Sequence, residues 1–211
     1  MIRVKICGTT SWADAELAVE AGASMIGLNF YPKSPRYIAS ASAVEIVRQL
    51  PRRVQAVGVF VNESPERVRA IAQDLNLSAV QLHGDEMPEV VAQLAEFFPV
   101  IKAFQVRPGF PLEGLAKYRA AATFLLDGVA GGKRGGTGKS FDWKIAQRAA
   151  RYGPIILAGG ITPENVAEAI RVAQPFAIDV CSGVEAKPGK KDPAKVRALM
   201  EQVKALDKQI P

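Results

Sequence analysis

Eight short apolar segments, each followed by a stretch with helical periodicity, constrain the fold of this chain more than any other feature. The predicted strands are residues 3–7, 25–30, 54–61, 79–82, 100–104, 123–127, 155–158 and 177–180. The intervening stretches repeat apolar residues every three or four positions, as amphipathic helices do. Near-continuous apolar strands alternating with helices are typical of a parallel sheet covered by helices. Eight such units predict an α/β fold, a closed (β/α)8 TIM barrel, rather than an open doubly wound sheet.

Length and helix-start signals agree with this fold. The chain has 211 residues, and one (β/α)8 domain needs roughly 200 to 250, so we expect residues 1–211 to form a single domain. Three predicted helices begin where a capping side chain precedes proline: Ser64-Pro65, Thr162-Pro163 and Asp192-Pro193. Ser11 with Asp14 resembles a capping box, and Gly22 is a plausible helix end. The fifth helix, residues 112–119, is predicted to be weak because it contains a glycine and follows Pro111.

The composition excludes several classes of protein. The chain is 48% hydrophobic and 23% charged, which is typical of a folded globular protein. No apolar run approaches the ~20 residues that a membrane span requires, and a predicted strand begins directly after Met1, which leaves no room for a signal peptide. Two cysteines far apart in sequence do not indicate a disulfide framework. We therefore expect a cytoplasmic protein with no membrane partner.

The formal net charge of +6 indicates an anionic partner. The basic residues are scattered and form neither a long run nor a recognisable nucleic-acid-binding module. Composition alone does not separate nucleic acid from an acidic small molecule, and a solvated basic surface is the favoured interpretation of the charge. We expect no nucleic-acid partner.

The ends of the predicted strands carry the polar residues that bear on function, because a (β/α)8 barrel places its active site there. Side chains alternate along a strand, so Val4 and Ile6 should face the helices, while Cys7 points into the barrel mouth with Lys5 one layer below. The same alternation turns the strand-end aspartates 127 and 179 inward. A thiol and two carboxylates are thus predicted to converge, although a buried cysteine is often only a small apolar residue and a strand-end aspartate is often a cap.

Glycine-rich loops indicate a phosphate site. The segment GGKRGGTGKS is not a P-loop, because that motif requires glycine where position 133 is lysine. The loops AGGIT and DVCSGVE follow the seventh and eighth strands, where barrel enzymes bind phosphate through backbone N–H groups. His83 is the only histidine, and no cluster of cysteine and histidine has metal-ligand spacing, so a catalytic zinc site is rejected.

Ordered motifs along nearly the whole chain resemble those of the phosphoribosylanthranilate isomerases. They are KICG, SPRY, VGVFVN, VQLHG, LLD with GGTGKSFDW, LAGGI, and DVCSGVE with PGKKD. The resemblance implies an isomerase of tryptophan biosynthesis that catalyses an Amadori rearrangement of N-(5-phosphoribosyl)anthranilate, a phosphorylated and carboxylated small molecule, without metal or cofactor. Whether the chain forms a homodimer is left open.

The resemblance also implies roles for individual residues. It assigns the catalytic base to Cys7 and the catalytic acid to Asp127, and Arg36 to the anthranilate carboxylate. Further substrate-binding residues are His83, Gly136, Gly159, Gly160, Ser182 and Gly183, with Asp179 near the reacting centre. Position 181 departs from the expected pattern, because cysteine stands where serine is more usual. If barrel closure brings this cysteine beside Cys7, their α-carbons could fall within the ~4.4 to 6.8 Å that a disulfide permits.

Three other functions stay open at this point, because fold alone does not fix a substrate. The first is another phosphosugar isomerase or epimerase, although one that uses two aspartates does not fit a cysteine at the end of the first strand. The second is an aldolase that forms a Schiff base on Lys5 or Lys102. The third is a barrel that binds phosphate or nucleic acid without catalysis.

Overall fold

The computed structural model describes residues 2–128 and 142–207, and its eight parallel strands close into a barrel in sequence order. The strands are β1 (Arg3–Cys7), β2 (Met25–Asn29), β3 (Gln55–Phe60), β4 (Ala79–Leu82), β5 (Val100–Val106), β6 (Thr123–Gly128), β7 (Ile155–Leu157) and β8 (Ala177–Val180). All eight predicted strands are confirmed, and β1 closes the barrel by pairing with β8. The predicted ligand residue Gly136 lies outside the described residues.

Helices cover the outside of the barrel. They are α1 (Trp12–Ala21), α2 (Ser40–Gln49), α3 (Pro65–Asp74), α4 (Pro88–Ala95), α5 (Lys144–Ala149), α6 (Val166–Ala173) and α7 (Pro193–Asp207). The connection after β5 is a 3₁₀ helix, Leu112–Tyr118, as expected for the weak fifth helix. None of the helices within residues 2–128 and 142–207 is long and apolar enough to cross a membrane.

Local capping explains most helix boundaries. The Ser11 side chain accepts a hydrogen bond from the backbone N–H of Asp14, and Gly22 ends α1 with a left-handed φ of 109°. The helix start predicted at Pro163 is wrong, because α6 begins at Val166. Asn165 is the physical reason: its side chain accepts from the Thr162 N–H and donates to the Gly160 carbonyl, which holds residues 162–165 in a turn.

Side-chain alternation separates two cores. Val4 and Ile6 belong to the large apolar layer between strands and helices, as predicted. A smaller cluster fills the barrel interior and consists of Met25, Val57, Ala79, Ile101, Ala103, Leu125, Ile156, Ala158 and Ala177. Toward the carboxyl ends of the strands, beyond this apolar cluster, the inward-facing positions are polar. We call this layer of charged side chains the polar floor.

A hairpin follows β8 and was not predicted. A 3₁₀ turn, Ser182–Val184, leads into β9 (Glu185–Lys187), which pairs antiparallel with β10 (Lys190–Lys191). The Thr10 hydroxyl donates to the Gly189 carbonyl at 2.7 Å and ties the hairpin to the loop after β1. The hairpin therefore lies at the same end of the barrel as the polar floor.

Candidate active site

Cys7 ends β1 and points into the barrel, as alternation predicted. Its side chain is only 8% exposed, and the neighbouring strand makes room for the sulfur. A Cβ atom on Gly27 would lie 2.7 Å from Cys7 Sγ, which is closer than side-chain atoms pack. A glycine on β2 is thus needed beside this thiol.

An ion pair lies directly beneath the thiol. Lys5 Nζ donates to Asp179 Oδ1 at 3.0 Å, and both side chains are buried. Burial alone would lower the pKa of Lys5, but the charges of Asp179 and Cys7 outweigh it and raise this pKa above its ordinary value. Lys5 therefore remains an ammonium ion, which speaks against the Schiff-base alternative, since that chemistry needs a neutral amine.

Asp179 is an unusually weak acid for an aspartate. Its pKa is raised to about 7, first by burial and then by the neighbouring Cys7, while the charge of Lys5 acts in the opposite direction. The Lys5 ammonium group interacts with both Cys7 and Asp179, so the protonation of one of these acidic groups depends on that of the other. The structure brings Cys7, Lys5 and Asp179 into one cluster, as the sequence predicted for the thiol and this carboxylate.

The second cysteine lies beside the first. The pairing of β1 with β8 ends at Ile6 and Val180, so one further step places Cys7 next to Cys181. A hydrogen bond from the Cys181 thiol lowers the pKa of Cys7 well below its ordinary value, with help from Lys5 against the opposing effect of burial. The same contact, together with burial, raises the pKa of Cys181. Of the two thiols, Cys7 is therefore the one that ionises more readily.

The charge of Lys5 gives this difference a measurable consequence. A Lys5→Met variant removes a cation that stabilises the Cys7 thiolate, so the pKa of Cys7 should rise by about one unit or more. The pH at which iodoacetamide labelling of Cys7 reaches half its maximal rate should then move upward by the same amount. Peptide mapping after timed labelling measures it, and Lys117→Met, an exposed lysine of the 3₁₀ helix, is the matched control. An unchanged labelling profile would contradict this role for Lys5.

Arg36 reaches the same region from the loop after β2, and the structure gives it a partner that the sequence analysis missed. Its Nε donates to both carboxylate oxygens of Glu185 at 2.9 and 3.1 Å, and its Nη2 donates to Glu185 Oε2 at 2.7 Å. This forked contact uses one edge of the guanidinium. The Nη1 group carries two further N–H donors that this contact does not use.

Glu185 connects the hairpin with the two cysteines. Lys191 Nζ donates to its Oε1 at 3.2 Å and to the Cys7 carbonyl at 2.5 Å, and Cys181 Sγ lies 3.8 Å from the same carboxylate. Although burial would raise the pKa of Glu185, Arg36 and Lys191 lower it. The available sequence signal was the dipeptide Pro188-Gly189, which is a turn signal typical of a hairpin; Glu185 lies before this turn and Lys191 after it.

Asp127 is the penultimate residue of β6 and is also buried, with His83 beside it. His83 Nε2 lies 3.4 Å from Asp127 Oδ2, but the geometry of this contact is not that of a hydrogen bond. On its other side, His83 Nδ1 is 2.8 Å from Gln81 Nε2. With that amide as the donor, neutral His83 carries its ring proton on Nε2, toward the carboxylate.

Glycines bring the loops after β7 and β8 together, as the phosphate-site prediction required. Gly159 and Gly160 both have left-handed φ angles, of 84° and 70°, and a Cβ on Gly159 would lie 2.8 Å from Asp127 Oδ1. A Cβ on Gly183 would collide with the Ile161 carbonyl, so the turn that contains Ser182 packs directly on the other loop. Within the described part of the chain, the N–H groups of Gly159 and Gly160 donate to no backbone acceptor. Such a concave set of N–H groups suits an anion.

A cavity of about 380 Å³ opens beside His83, at the ends of β4 and β5. Its lining residues are His83, Gly84, Asp85, Lys102, Ala103, Phe104, Gln105, Arg107, Phe110 and Tyr118. Lys102 is buried there and donates to Glu86 Oε2 at 2.7 Å and to the Gly84 carbonyl at 2.8 Å. This pairing favours the structural interpretation of Lys102 over a Schiff-base role.

Comparisons with known proteins show which family this chain is similar to. The family described as N-(5'phosphoribosyl)anthranilate (PRA) isomerase matches residues 4–202. The N-(5'-phosphoribosyl)anthranilate isomerase of Trichlorobacter lovleyi is 51% identical over 205 residues, which cover 97% of this chain and 98% of that protein.

Solved structures show the same likeness. A phosphoribosyl anthranilate isomerase in complex with reduced 1-(o-carboxyphenylamino)-1-deoxyribulose 5-phosphate is 43% identical, with a TM-score of 0.88, over 97% of this chain and 100% of its own. The phosphoribosylanthranilate isomerase of Thermotoga maritima, described as dimeric and solved as generated monomers, is 43% identical with the same coverage and a TM-score of 0.87.

Proposed function

The chain belongs to the N-(5'-phosphoribosyl)anthranilate isomerase family, and we propose from this premise that Cys7 and Asp127 carry the proton transfers of its reaction. The protein is an isomerase of tryptophan biosynthesis. It converts an aminoaldose phosphate into the corresponding aminoketose phosphate. The observation that carries the residue assignment is the placement of an ionisable thiol and a buried carboxyl group in one barrel mouth, beside an anion-binding pair of loops.

The first chemical step opens the ribose ring. Asp127 in its protonated form donates a proton to the furanose oxygen, the C1–O bond breaks, and the nitrogen lone pair forms the C1=N bond of a protonated Schiff base. His83 lies against one oxygen of this carboxyl, so the two groups are positioned to contact the same part of the substrate.

The second step removes the proton from C2 of the ribose. The protonated Schiff base acidifies this proton, and the Cys7 thiolate accepts it while the C–H electrons form the C1=C2 bond of an enolamine. Tautomerisation, with a proton added at C1 and one lost from the C2 hydroxyl, gives the aminoketose. The thiolate is available because Cys181 and Lys5 lower the pKa of Cys7 despite its burial.

Two groups orient the substrate across the mouth. We assign the phosphate to the backbone N–H groups of Gly159, Gly160, Ser182 and Gly183, where the loops after β7 and β8 meet. The anthranilate carboxylate is assigned to the free edge of the Arg36 guanidinium. Glu185 holds the other edge, so the arginine is fixed before substrate binds, which lowers the entropy lost in the complex.

Substitution of Arg36 tests this assignment. In Arg36→Lys the positive charge is kept, but an ammonium group cannot contact Glu185 with one edge and the substrate carboxylate with another. We expect KM to rise tenfold or more, with a smaller change in kcat, in steady-state assays. Arg67→Lys, at an arginine that is 66% exposed and paired with Glu63, is the matched control and should keep the wild-type KM. A wild-type KM for Arg36→Lys would refute the assignment.

Direct turnover tests the function as a whole. Purified protein at catalytic concentration should consume N-(5'-phosphoribosyl)anthranilate, followed by the loss of its anthranilate fluorescence. Absence of turnover, in protein that circular dichroism shows to be folded, would contradict the proposed chemistry.

We also propose a cytoplasmic location and a homodimer. The dimer is supported by the likeness to a dimeric isomerase, and sedimentation measures it.

A further inference from the structure

We propose that Cys7 and Cys181 form a dithiol site which a hydroperoxide converts into an intramolecular disulfide. The disulfide consumes the thiolate of Cys7 and so stops the enzyme reversibly. This loss of activity rests on the proposed role of Cys7 as the base. The formation of the disulfide rests only on geometry and thiol chemistry.

Barrel closure places the two cysteines side by side. Lys5 pairs with Asp179 and Ile6 with Val180 along β1 and β8, and Cys7 and Cys181 are the residues that directly follow the last of these pairs in the chain. Adjacent strands are about 4.8 Å apart, which lies within the ~4.4 to 6.8 Å between α-carbons that a disulfide accepts.

Both sulfurs also point toward the same space. Cys7 lies on the inward face of β1 with Lys5, and Cys181 directly follows β8, where Asp179 meets Lys5 at 3.0 Å. The Cys181 thiol lies close enough to Cys7 to lower its pKa, and both cysteines are free. A Cβ on Gly8 would lie 3.0 Å from Cys181 Sγ, so the glycine after Cys7 leaves the room that the second sulfur occupies.

The chemistry of the pair favours an ordered reaction. The Cys7 thiolate attacks the outer oxygen of the hydroperoxide, the O–O bond breaks, and Cys7 becomes a sulfenic acid. The hydroxide or alkoxide that leaves takes a proton from solvent and is released as water or an alcohol. Cys181 sulfur then attacks the sulfenic sulfur, the S–S bond forms, and the hydroxide that leaves takes the Cys181 proton as water. Two thiols lose two electrons in total, and the hydroperoxide gains them.

The two cysteines have complementary parts in this sequence. Cys7 has the lowered pKa and is therefore the sulfur that is attacked first by the oxidant. Cys181 has the raised pKa and cannot compete for the oxidant, but it is already in contact with the sulfur that it must trap. Fast trapping protects Cys7 from further oxidation to sulfinic acid, which reductants do not reverse.

A comparison of the wild type with Cys181→Ser tests the proposal. Serine is nearly isosteric and still donates a hydrogen bond, but it cannot form a disulfide. Both proteins are treated with hydrogen peroxide, digested without reduction and mapped by mass spectrometry, and the activity of each is expressed relative to its own reduced state. Dithiothreitol is then added, and recovery is measured.

In the wild type we expect a cross-linked pair of peptides containing Cys7 and Cys181, with activity that falls as the link forms and returns on reduction. In Cys181→Ser we expect sulfinic acid on Cys7 and at least a tenfold smaller recovered fraction. Peroxide inactivation without the cross-link would overturn the dithiol site and leave the role of Cys7 as base unaffected. A cross-linked wild type that keeps its activity would overturn the reversible inactivation and would contradict Cys7 as the base.

Discussion

Cys7→Ala should lower kcat at least ~10³-fold, because it removes the group that accepts the C2 proton, and positioned bases contribute about 10² to 10⁴ in rate. Cys7→Ser should lose nearly as much, since a hydroxyl is far less acidic than a thiol and does not ionise near neutral pH. Substrate binding should change little, because the phosphate loops and Arg36 are untouched. The measurements are kcat and KM from steady-state fluorescence, with folding checked by circular dichroism.

The matched variant is Cys181→Ser, which changes the neighbouring thiol in the same way. Its hydroxyl still donates a hydrogen bond to Cys7, so we expect kcat/KM within a few fold of the wild type. Cys7 should also be the faster thiol to alkylate, and loss of activity should follow its modification. Label that accumulates on Cys181 while Cys7 stays unmodified and activity disappears would contradict the assignment of the base.

The strand ends were predictable because they depend on local pattern. The bounds of β1, β4 and β8 follow directly from apolar runs that end at polar residues or glycine, and alternation within β1 correctly separated Val4 and Ile6 from Lys5 and Cys7. The pairing of Lys5 with Asp179 then follows from closure of the barrel. Local pattern and barrel closure therefore suffice to predict that Cys7, Lys5 and Asp179 converge at the mouth.

The contacts that hold Arg36 and Cys7 in place were not predictable from local pattern. Glu185 contacts Arg36 across 149 positions of sequence, and Lys191 donates to the Cys7 carbonyl across 184. No periodicity connects such residues, because their contact depends on where the hairpin folds back over the first loop. The predicted start of α6 was wrong for a related reason. The Asn165 side chain makes hydrogen bonds to Gly160 and Thr162, so the helix begins after Asn165 and not at Pro163.

The pKa shifts of Cys7 and Asp179 have opposite directions, which explains why these two acidic groups behave differently in the same barrel mouth. The Cys181 thiol and the Lys5 ammonium stabilise the thiolate of Cys7, whereas burial and the Cys7 charge destabilise the carboxylate of Asp179 and raise its pKa to about 7. The lowered pKa of Cys7 favours the thiolate that a base needs, whereas the raised pKa of Asp179 disfavours a second negative charge beside it.

Asp127→Asn should lower kcat by ~10² to 10⁴ while KM stays within a few fold. The amide keeps the size of the carboxyl group beside Gly159 and His83, but it cannot transfer a proton to the furanose oxygen. The ring must then open without an acid, so the effect belongs to the chemical step rather than to binding. Steady-state kcat and KM measure it, with Asp74→Asn, an exposed aspartate at the end of α3, as the matched control.

A substrate analogue that is already open distinguishes this role from a structural one. If Asp127 acts only in ring opening, Asp127→Asn should still bind the reduced aminoketose phosphate with an affinity within a few fold of the wild type, because that molecule contains no furanose ring. A large loss of its affinity would instead indicate that the substitution disturbs the loops around Gly159. Retention of most activity by Asp127→Asn would transfer the acid role to Asp179, whose raised pKa leaves it partly protonated near neutral pH.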